Sequence, residues 1–153
     1  MSVGLHLETP AQLSKRRYQR LIMSVPVMIA GHRARTLDWS ATGFRLPTEI
    51  PGIGDAVVPA QLIVPAEGLS FFFRIAAHHV HRNDDDGYAG YHFREQTEIE
   101  HDMLRGLVIY FVSGAAFPLE AGLDLDINRQ ALAQARATGL ADHPELGYTI
   151  SRI

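Results

Sequence analysis

Residues 21 to 93 contain six short segments that are rich in strand-forming side chains and are separated by turns. The turns hold glycine, proline, asparagine and aspartate, which favour reversal of the chain. The six segments are 21–30, 34–39, 44–46, 56–64, 69–82 and 88–93. Short strands at this spacing are typical of a small antiparallel barrel or sandwich, so we predict a mainly β protein.

The pattern changes after residue 96, where a helix is indicated. Thr97 and Glu100 have the spacing of a capping box, in which each side chain bonds the backbone N–H of the other residue. Apolar residues then recur in four-residue steps at Ile99, Met103, Leu107 and Phe111. We therefore predict an amphipathic helix over residues 97–112 that ends near Gly114.

The second half of this helix, residues 107–112, is apolar on all sides. One apolar stripe is enough to cover the end of a small barrel, so a second apolar surface is left over. Exposed contiguous apolar patches mark interfaces. We predict that the outer face of helix 97–112 forms a homodimer or binds an unknown protein partner. In the alternative, the tail from 128 to 139 folds back over this face.

The C-terminal residues carry weaker signals. Residues 128–138 predict a short helix that ends at Gly139, and residues 141–153 show no clear pattern. We divide the chain into a flexible arm (1–14), a main unit of strands and helix (15–114) and a C-terminal extension of unknown role (115–153).

Composition excludes several functional classes. The chain has no cysteine, which excludes disulfides, cysteine-based zinc sites and thiol catalysis. Its net charge is −3, so any anion site must be a local patch. We see no signal peptide, and the apolar run at 107–112 is far shorter than the roughly 20 residues of a transmembrane helix. We expect a cytoplasmic protein, or the cytoplasmic part of a membrane-associated system.

Two short motifs flank the first predicted strand. Two arginines four residues apart, Arg16 and Arg20, precede the strand, and Asp38, Ser40 and Gly43 form an Asp-x-Ser-x-x-Gly sequence after it. Each motif alone is weak, because Arg-x-x-x-Arg occurs by chance and the second motif is also a plain turn. In this order, and followed by the strands and the helix described above, they form a specific signal.

This signal resembles the PilZ domain, a bacterial receptor for cyclic di-GMP, over residues 14 to 114. The resemblance implies a six-stranded antiparallel PilZ-like β-barrel with a C-terminal α-helix, extended here by a short helical tail. It also implies a receptor that is not an enzyme, needs no cofactor and passes the second-messenger level on to a partner. The layout is similar to the PilZ part of alginate-polymerising systems, which implies a role in exopolysaccharide, biofilm or motility control.

Within this resemblance the motif residues form the ligand site. An arginine fork can hold a phosphate, bond the O6/N7 edge of guanine or stack on the base, which suits Arg16 and Arg20. Asp38 can accept hydrogen bonds from the N1–H and N2–H₂ donors of guanine, and Ser40 offers a small hydroxyl. Gly43 suits a turn with positive φ or a close approach of two backbones.

Further basic residues are candidates for the same ligand. Many PilZ-like domains bind an intercalated dimer of cyclic di-GMP, and additional cations would suit its four phosphates. The candidates are Lys15, Arg17, Arg45, Arg74 and Arg94. For the last three, an ordinary surface arginine is the competing interpretation. Trp39 lies inside the signature, and it either packs in the core or lies near a bound base.

Two other functions compete with this one. A small β-barrel could bind RNA or single-stranded DNA through the basic patch from Lys15 to Arg20, but the net charge opposes this and residues 38–43 stay unexplained. A metal-dependent hydrolase could use a cluster of histidine and aspartate, namely His78, His79, His81, Asp84, Asp85 and Asp86. Their spacing matches no metal motif, and a polar strand end explains them. We expect no nucleic acid and no metal to bind.

Overall fold

The computed structural model describes residues 19–80 and 88–153. The predicted arm 1–14, Lys15, Arg16 and Arg17 lie outside the described residues, and so do His81 and the three aspartates at 84–86. What we predicted for these residues therefore stays a prediction.

Ten strands are present in the described part of the chain, and each pair of neighbours runs antiparallel. The strands are β1 (Pro26–Ile29), β2 (His32–Arg35), β3 (Asp38–Ser40), β4 (Gly43–Leu46), β5 (Ala60–Ala66), β6 (Leu69–Arg74), β7 (Ala77–Val80), β8 (Ala89–Phe93), β9 (Leu140–Asp142) and β10 (Tyr148–Arg152). The mainly β, antiparallel class that we predicted is confirmed.

The strands form two sheets rather than one closed six-stranded barrel. One sheet has the strand order β2-β1-β5-β6-β10-β9, and the other has the order β3-β4-β8-β7. Single-residue bridges link the two sheets, one between Leu21 and Trp39 and one between Val58 and Ala77. The predicted antiparallel strands are therefore present, but within the described residues they form two linked sheets and no closed barrel.

Two segments that we predicted as single strands are divided between the sheets. Segment 34–39 contributes to β2 and β3, and segment 69–82 contributes to β6 and β7. At the first bend, Thr36 Oγ1 accepts from Val25 N at 3.0 Å and donates to Met23 O at 2.8 Å. Strands that change sheet in this way form the corners of packed β-sheets. Because apolar alternation continues across such a bend, the sequence pattern does not reveal it.

Helix α1 (Glu98–Ser113) lies one residue from the predicted bounds, and its capping box is confirmed. Glu100 N donates to Thr97 Oγ1 at 3.0 Å, and Thr97 N donates to Glu100 Oε1 at 2.8 Å. The helix ends at Gly114, which has a φ of 94° that favours glycine. No helix in the described residues has the length and apolar content needed to cross a bilayer.

The chain after α1 contains a 3-10 turn, a second helix and the last two strands, with a further 3-10 turn (Pro144–Leu146) between those strands. The turn is Leu119–Gly122, and helix α2 (Asp126–Thr138) begins two residues before the predicted start. Gly139 caps the C-terminus of α2 in the left-handed conformation, as its position predicted. Because β10 pairs with β6, the extension after residue 114 is part of the same sheet as the main unit.

This extension covers part of the outer face of α1. A Cβ on Gly106 of α1 would lie only 2.4 Å from Leu123 Cδ2. The absence of a side chain at Gly106 therefore lets the extension pack closely against α1. Leu119 and Leu123 are buried. The extension therefore covers part of the apolar surface on which we based the dimer prediction, through residues 119–123 rather than through the tail 128–139 of the alternative. Ile109 and Val112 stay half-buried, and the interface through this helix stays a prediction.

The core lies between the two sheets and α1. Its large, fully buried side chains include Trp39, Tyr91, Tyr148, Phe71 and Phe73. The ring of Trp39 meets that of Phe111 of α1 edge-on, with centroids 6.5 Å apart. Of the two positions that we considered for Trp39, core packing is the one observed, and it connects β3 to α1.

Candidate ligand-binding cleft

The outer face of the four-stranded sheet carries two rows of residues that run across its strands. Cross-strand partners in an antiparallel sheet lie on the same face. The members of the first row, from β3 to β7, are Asp38, Arg45, Gly90 and Val80. The members of the second row are Ser40, Gly43, His92 and His78. The row between them, Trp39, Phe44, Tyr91 and His79, lies on the opposite face, toward the core.

A cleft of about 210 Å³ lies on this outer face. The cleft brings together five of the predicted site residues. They are Arg20, which precedes the first predicted strand, and Asp38, Ser40, Gly43 and Arg45, which come after it. Thr42, Gly90 and His92 also line it. The described part of both motifs is therefore assembled at one place, although Arg20 and Gly43 are 23 positions apart in the sequence.

Two of the predicted arginines are not brought to this cleft. Arg74 is exposed at the end of β6, in the other sheet, and its guanidinium lies 4.6 Å from the centroid of the Phe72 ring. Arg94 follows β8, is exposed, and donates its backbone N–H to Ala76 O. Neither residue lines the cleft. The structure thus separates both arginines from the motif residues with which we had grouped them.

Asp38 and Arg45 form an ion pair at the edge of the cleft. Asp38 is only 3% exposed, and its Oδ2 accepts from Arg45 Nε at 2.9 Å and from Arg45 NH2 at 2.5 Å. Its Oδ1 is buried and has no hydrogen-bond partner among the described residues. A buried acceptor without a partner costs about 1–3 kcal/mol. Asp38 therefore keeps one unused acceptor oxygen, held in place by Arg45.

The guanidinium of Arg45 has a second contact. It lies 5.1 Å from the centroid of the Tyr88 ring, a distance at which a cation is attracted to the aromatic face. Its side chain is 24% exposed. We predicted Arg45 as a direct ligand cation, and the structure adds a positioning contact with Asp38.

Ser40 closes the turn between β3 and β4. Its Oγ accepts from Thr42 N at 3.2 Å and lies 3.2 Å from Thr42 Oγ1. The neighbouring Ala41 O accepts from Gln96 Nε2 at 2.6 Å. Gln96 directly precedes Thr97, the capping residue of α1. The hydroxyl that we predicted as a ligand contact therefore also stabilises the turn, and that turn is bonded to the start of α1.

Gly43 is required by a close approach of two backbones. A Cβ at this position would lie 2.1 Å from Tyr91 O on β8, a separation that Cβ atoms essentially never show. The φ angle of Gly43 is not positive, so a left-handed backbone is not the reason for glycine at this position. Of the two reasons that we gave for glycine here, close approach is the one observed.

His92 lines the cleft, and His78 is its neighbour on β7, a pair that the sequence did not single out. His92 is the cross-strand partner of both Gly43 and His78, and the two imidazole rings meet at a centroid distance of 6.2 Å. His92 reaches the surface, but the surrounding atoms partly shield its ring from water, and this desolvation lowers its pKa below 6.5. The nearby charges of His78 and Arg20 lower the pKa further. Only the strand register reveals this pair, because 14 positions separate the two histidines in the sequence.

The structure separates the histidines that we considered for a metal site. His78 lies on the outer face, whereas His79 lies on the inner face, with its ring 5.3 Å from that of Tyr91 and its Nδ1 3.9 Å from Glu49 Oε2. Among the described residues, no group of three or more histidine and carboxylate side chains is placed to hold a metal ion.

Comparison with known proteins gives a likeness in fold. No protein-family profile matches the chain, and no curated protein matches its sequence. Similar solved structures include the Bacillus subtilis inhibitor of motility MotI/DgrA, with a TM-score of 0.49 and 14% identity over 63% of this chain and 50% of that chain. They also include the PilZ domain of CeSA from a cellulose-synthesizing bacterium, with a TM-score of 0.41 and 16% identity over 65% of this chain and 99% of that domain.

These values describe a coarse likeness. The chain covers half the length of the first of these structures, and both identities are below the range in which more than the fold is shared.

Proposed function

We propose that this protein is a non-enzymatic receptor for cyclic di-GMP. The observation that carries the proposal is the unpartnered Oδ1 of buried Asp38, in a cleft that Arg20 and Arg45 also line. An acceptor fixed beside cations suits a ligand that presents hydrogen-bond donors and negative charge together. The guanine N1–H and N2–H₂ donors and the phosphates of cyclic di-GMP meet both requirements.

Each cleft residue has a chemical task in this proposal. Asp38 selects guanine, because adenine lacks the paired donors that a carboxylate accepts. Arg45 holds Asp38 in place and adds positive charge beside it, while Arg20 supplies charge for a phosphate. Arg16, the other half of the arginine motif, is assigned by the sequence alone and would close over the ligand from the N-terminal side.

The output of the receptor is a changed contact with a partner protein. Asp38 and Ser40 flank Trp39, whose ring meets Phe111 of α1, and the 40–43 turn is bonded to Gln96 at the start of α1. A shift of β3 on ligand binding would therefore reach α1. From the resemblance to PilZ domains, we place the partner in exopolysaccharide, biofilm or motility control.

Calorimetric titration of the purified protein tests the proposal. We expect cyclic di-GMP to bind, either as one nucleotide or as an intercalated dimer, with GTP at equal concentration failing to compete. Cyclic di-AMP tests base selection, and a short oligonucleotide tests the competing nucleic-acid function. Absence of heat with cyclic di-GMP at concentrations on the order of tens of micromolar would refute the receptor function.

Replacing Asp38 is expected to change base selection. Asp38→Ala removes a charge-assisted contact of roughly 1.5–3 kcal/mol, which corresponds to a tenfold to hundredfold loss of affinity. The binding that remains should come from arginine–phosphate attraction, weaken with salt and no longer distinguish cyclic di-GMP from cyclic di-AMP. Asp38→Asn, which keeps the size of the side chain, should lose the same selectivity.

Two arginine variants serve as the matched comparison. Arg20→Ala should lower the affinity for both nucleotides by a similar factor, because it removes charge from the cleft. Arg33→Ala removes the same charge from an exposed position on β2, in the other sheet, and should leave both affinities unchanged. A guanine preference that persists in both Asp38 variants would contradict the role of Asp38.

A further inference from the structure

His92 is a titratable side chain of the cleft that the proposed recognition of guanine does not use. His92 is exposed, lines the cleft and lies opposite Gly43 of the signature. Because Gly43 has no side chain, the neighbouring strand β4 offers nothing at this position that would cover the imidazole. On the other flank, the ring of His78 meets that of His92 from β7. An open imidazole beside the motif is placed to contact the ligand directly.

We infer that His92 contacts a phosphate of the bound nucleotide and takes up a proton when the nucleotide binds. The inference rests on the proposed function and adds to it a residue outside the PilZ signature. A protonated imidazole donates a charge-assisted hydrogen bond to a phosphate oxygen, whereas a neutral one donates at most a weaker bond. Binding of the diester should therefore favour the charged form of His92.

The charges that face His92 disfavour a proton on its ring before binding. His78 on β7 and Arg20 on the N-terminal segment both disfavour a positive charge on the ring, in addition to the effect of desolvation, and the pKa of His92 is lowered. On β3 and β4, Asp38 and Arg45 occupy the adjacent row and are paired with each other, so they contribute little net charge. A phosphate between Arg20 and His92 would offset the repulsion from the cations.

The direction of the pH dependence follows from this arrangement. The pKa of His92 lies below 6.5 in the free protein and rises when an anionic ligand is present, so binding takes up a proton at any pH between the two values. Phosphodiesters and arginines do not titrate near neutrality. Affinity for cyclic di-GMP should thus increase as the pH falls from about 8 to about 6, by at most about tenfold per pH unit for one proton.

Calorimetry at pH 6.5 in two buffers of different ionisation enthalpy measures the proton directly. For the unmodified chain we expect uptake of a fraction of a proton per nucleotide with cyclic di-GMP. His92→Gln should abolish the uptake and flatten the pH profile, with an affinity loss of several-fold at pH 6 and little loss at pH 8. His78→Gln should retain the uptake, because it removes only the neighbouring ring.

The control is His32→Gln, which changes an exposed histidine on β2 in the other sheet and should bind as the unmodified chain does. Binding of cyclic di-GMP with no proton uptake, or uptake that survives in His92→Gln, would overturn the role of His92 and leave the receptor function standing. Failure of both cyclic di-GMP and cyclic di-AMP to bind at any pH would overturn both. Proton uptake with cyclic di-AMP alone would support His92 and refute guanine selection.

Discussion

Asp102→Ala is expected to lower the stability of the protein more than any change in the cleft. Asp102 of α1 is buried, and its Oδ1 accepts from Asp124 N at 3.0 Å and from Arg105 NH2 at 3.0 Å. Its Oδ2 accepts from Leu125 N at 3.1 Å and from Asn128 Nδ2 at 2.8 Å. Alanine would leave all four donors without this acceptor at the junction of α1 and α2.

The size of the effect follows from the burial of this network. Arg105 is 32% exposed, so the loss comes mainly from the backbone and Asn128 donors that keep no acceptor, at about 1–3 kcal/mol for each buried group and roughly 3–5 kcal/mol for the network. For a domain of this size each kcal/mol lowers the midpoint of thermal unfolding by roughly 2–4 °C, so we expect a drop of roughly 6–20 °C. Leu125, which precedes α2, has no side chain that could cap the helix, so Asp102 is the group that receives its backbone N–H.

Asp124→Ala is the matched control. The Asp124 carboxylate is 80% exposed and pairs with the same Arg105 at 3.0 Å, but a surface ion pair contributes only about 0–1 kcal/mol. Thermal unfolding followed by circular dichroism should therefore separate the two variants clearly. Equal, small effects would show that the contact between α1 and the extension does not depend on Asp102.

The hydrogen bonds to Asp102 also predict how the stability of the protein changes with pH. Burial alone would raise the pKa of Asp102, but the hydrogen bonds from Asn128, from the backbone of residues 124 and 125 and from Arg105 outweigh it and hold the pKa below 3.8. The stabilisation is therefore present above pH 3.8 and is lost as the pH falls through the lower value of the folded state. Asp102→Ala should lose less stability on acidification than the unmodified chain.

Gly43→Ala is expected to disrupt the cleft at its floor. The added Cβ would meet Tyr91 O at 2.1 Å and His92 Cα at 3.1 Å, and both are backbone atoms of β8 that no side-chain rotation can move away. Overpacking of this kind costs typically 1–3 kcal/mol, and here it would also separate β4 from β8. We expect a lower midpoint of unfolding together with loss of cyclic di-GMP binding at concentrations where the unmodified chain saturates.

Gly31→Ala is the control variant, because it replaces a glycine without producing the backbone clash expected for Gly43→Ala. Gly31 has a φ of 83°, so alanine is strained there, but a Cβ would have no atom within 4 Å. This variant should lose some stability and keep its affinity for the nucleotide. If Gly43→Ala behaves in the same way, the close approach of β4 and β8 is not what shapes the cleft.

The sequence predicted the elements that depend on neighbouring residues. The capping box of Thr97 and Glu100, the end of α2 at Gly139 and the Asp-x-Ser-x-x-Gly turn each involve contacts a few positions apart, so their signals are local. The order of the motifs also indicated where a ligand site should form. What it could not predict is the division of strands between two sheets, because the alternation of apolar residues is the same on both sides of a bend.

Which residues face the cleft could also be predicted only in part from the sequence. From the chain alone, Asp38, Ser40 and Gly43 could be predicted to lie together at one site, because their residue types and spacing are local properties of one turn. Arg74 and Arg94 were grouped with them on charge alone, whereas His92 was missed. Whether a residue faces the cleft depends on the register of β4, β8 and β7, and a shift of one residue moves every side chain of a strand to the other face.

Sequence by itself determined the mainly β class, the capped helix α1 and the chemistry of the signature turn. Tertiary structure alone decided that Arg45 fixes Asp38, that His92 lies opposite Gly43, and that Leu123 of the extension packs closely against Gly106 of α1. The physical reason is that these contacts join residues distant in the chain. Their free energy depends on strand register and on the closeness of packing, neither of which is encoded in any short stretch of residues.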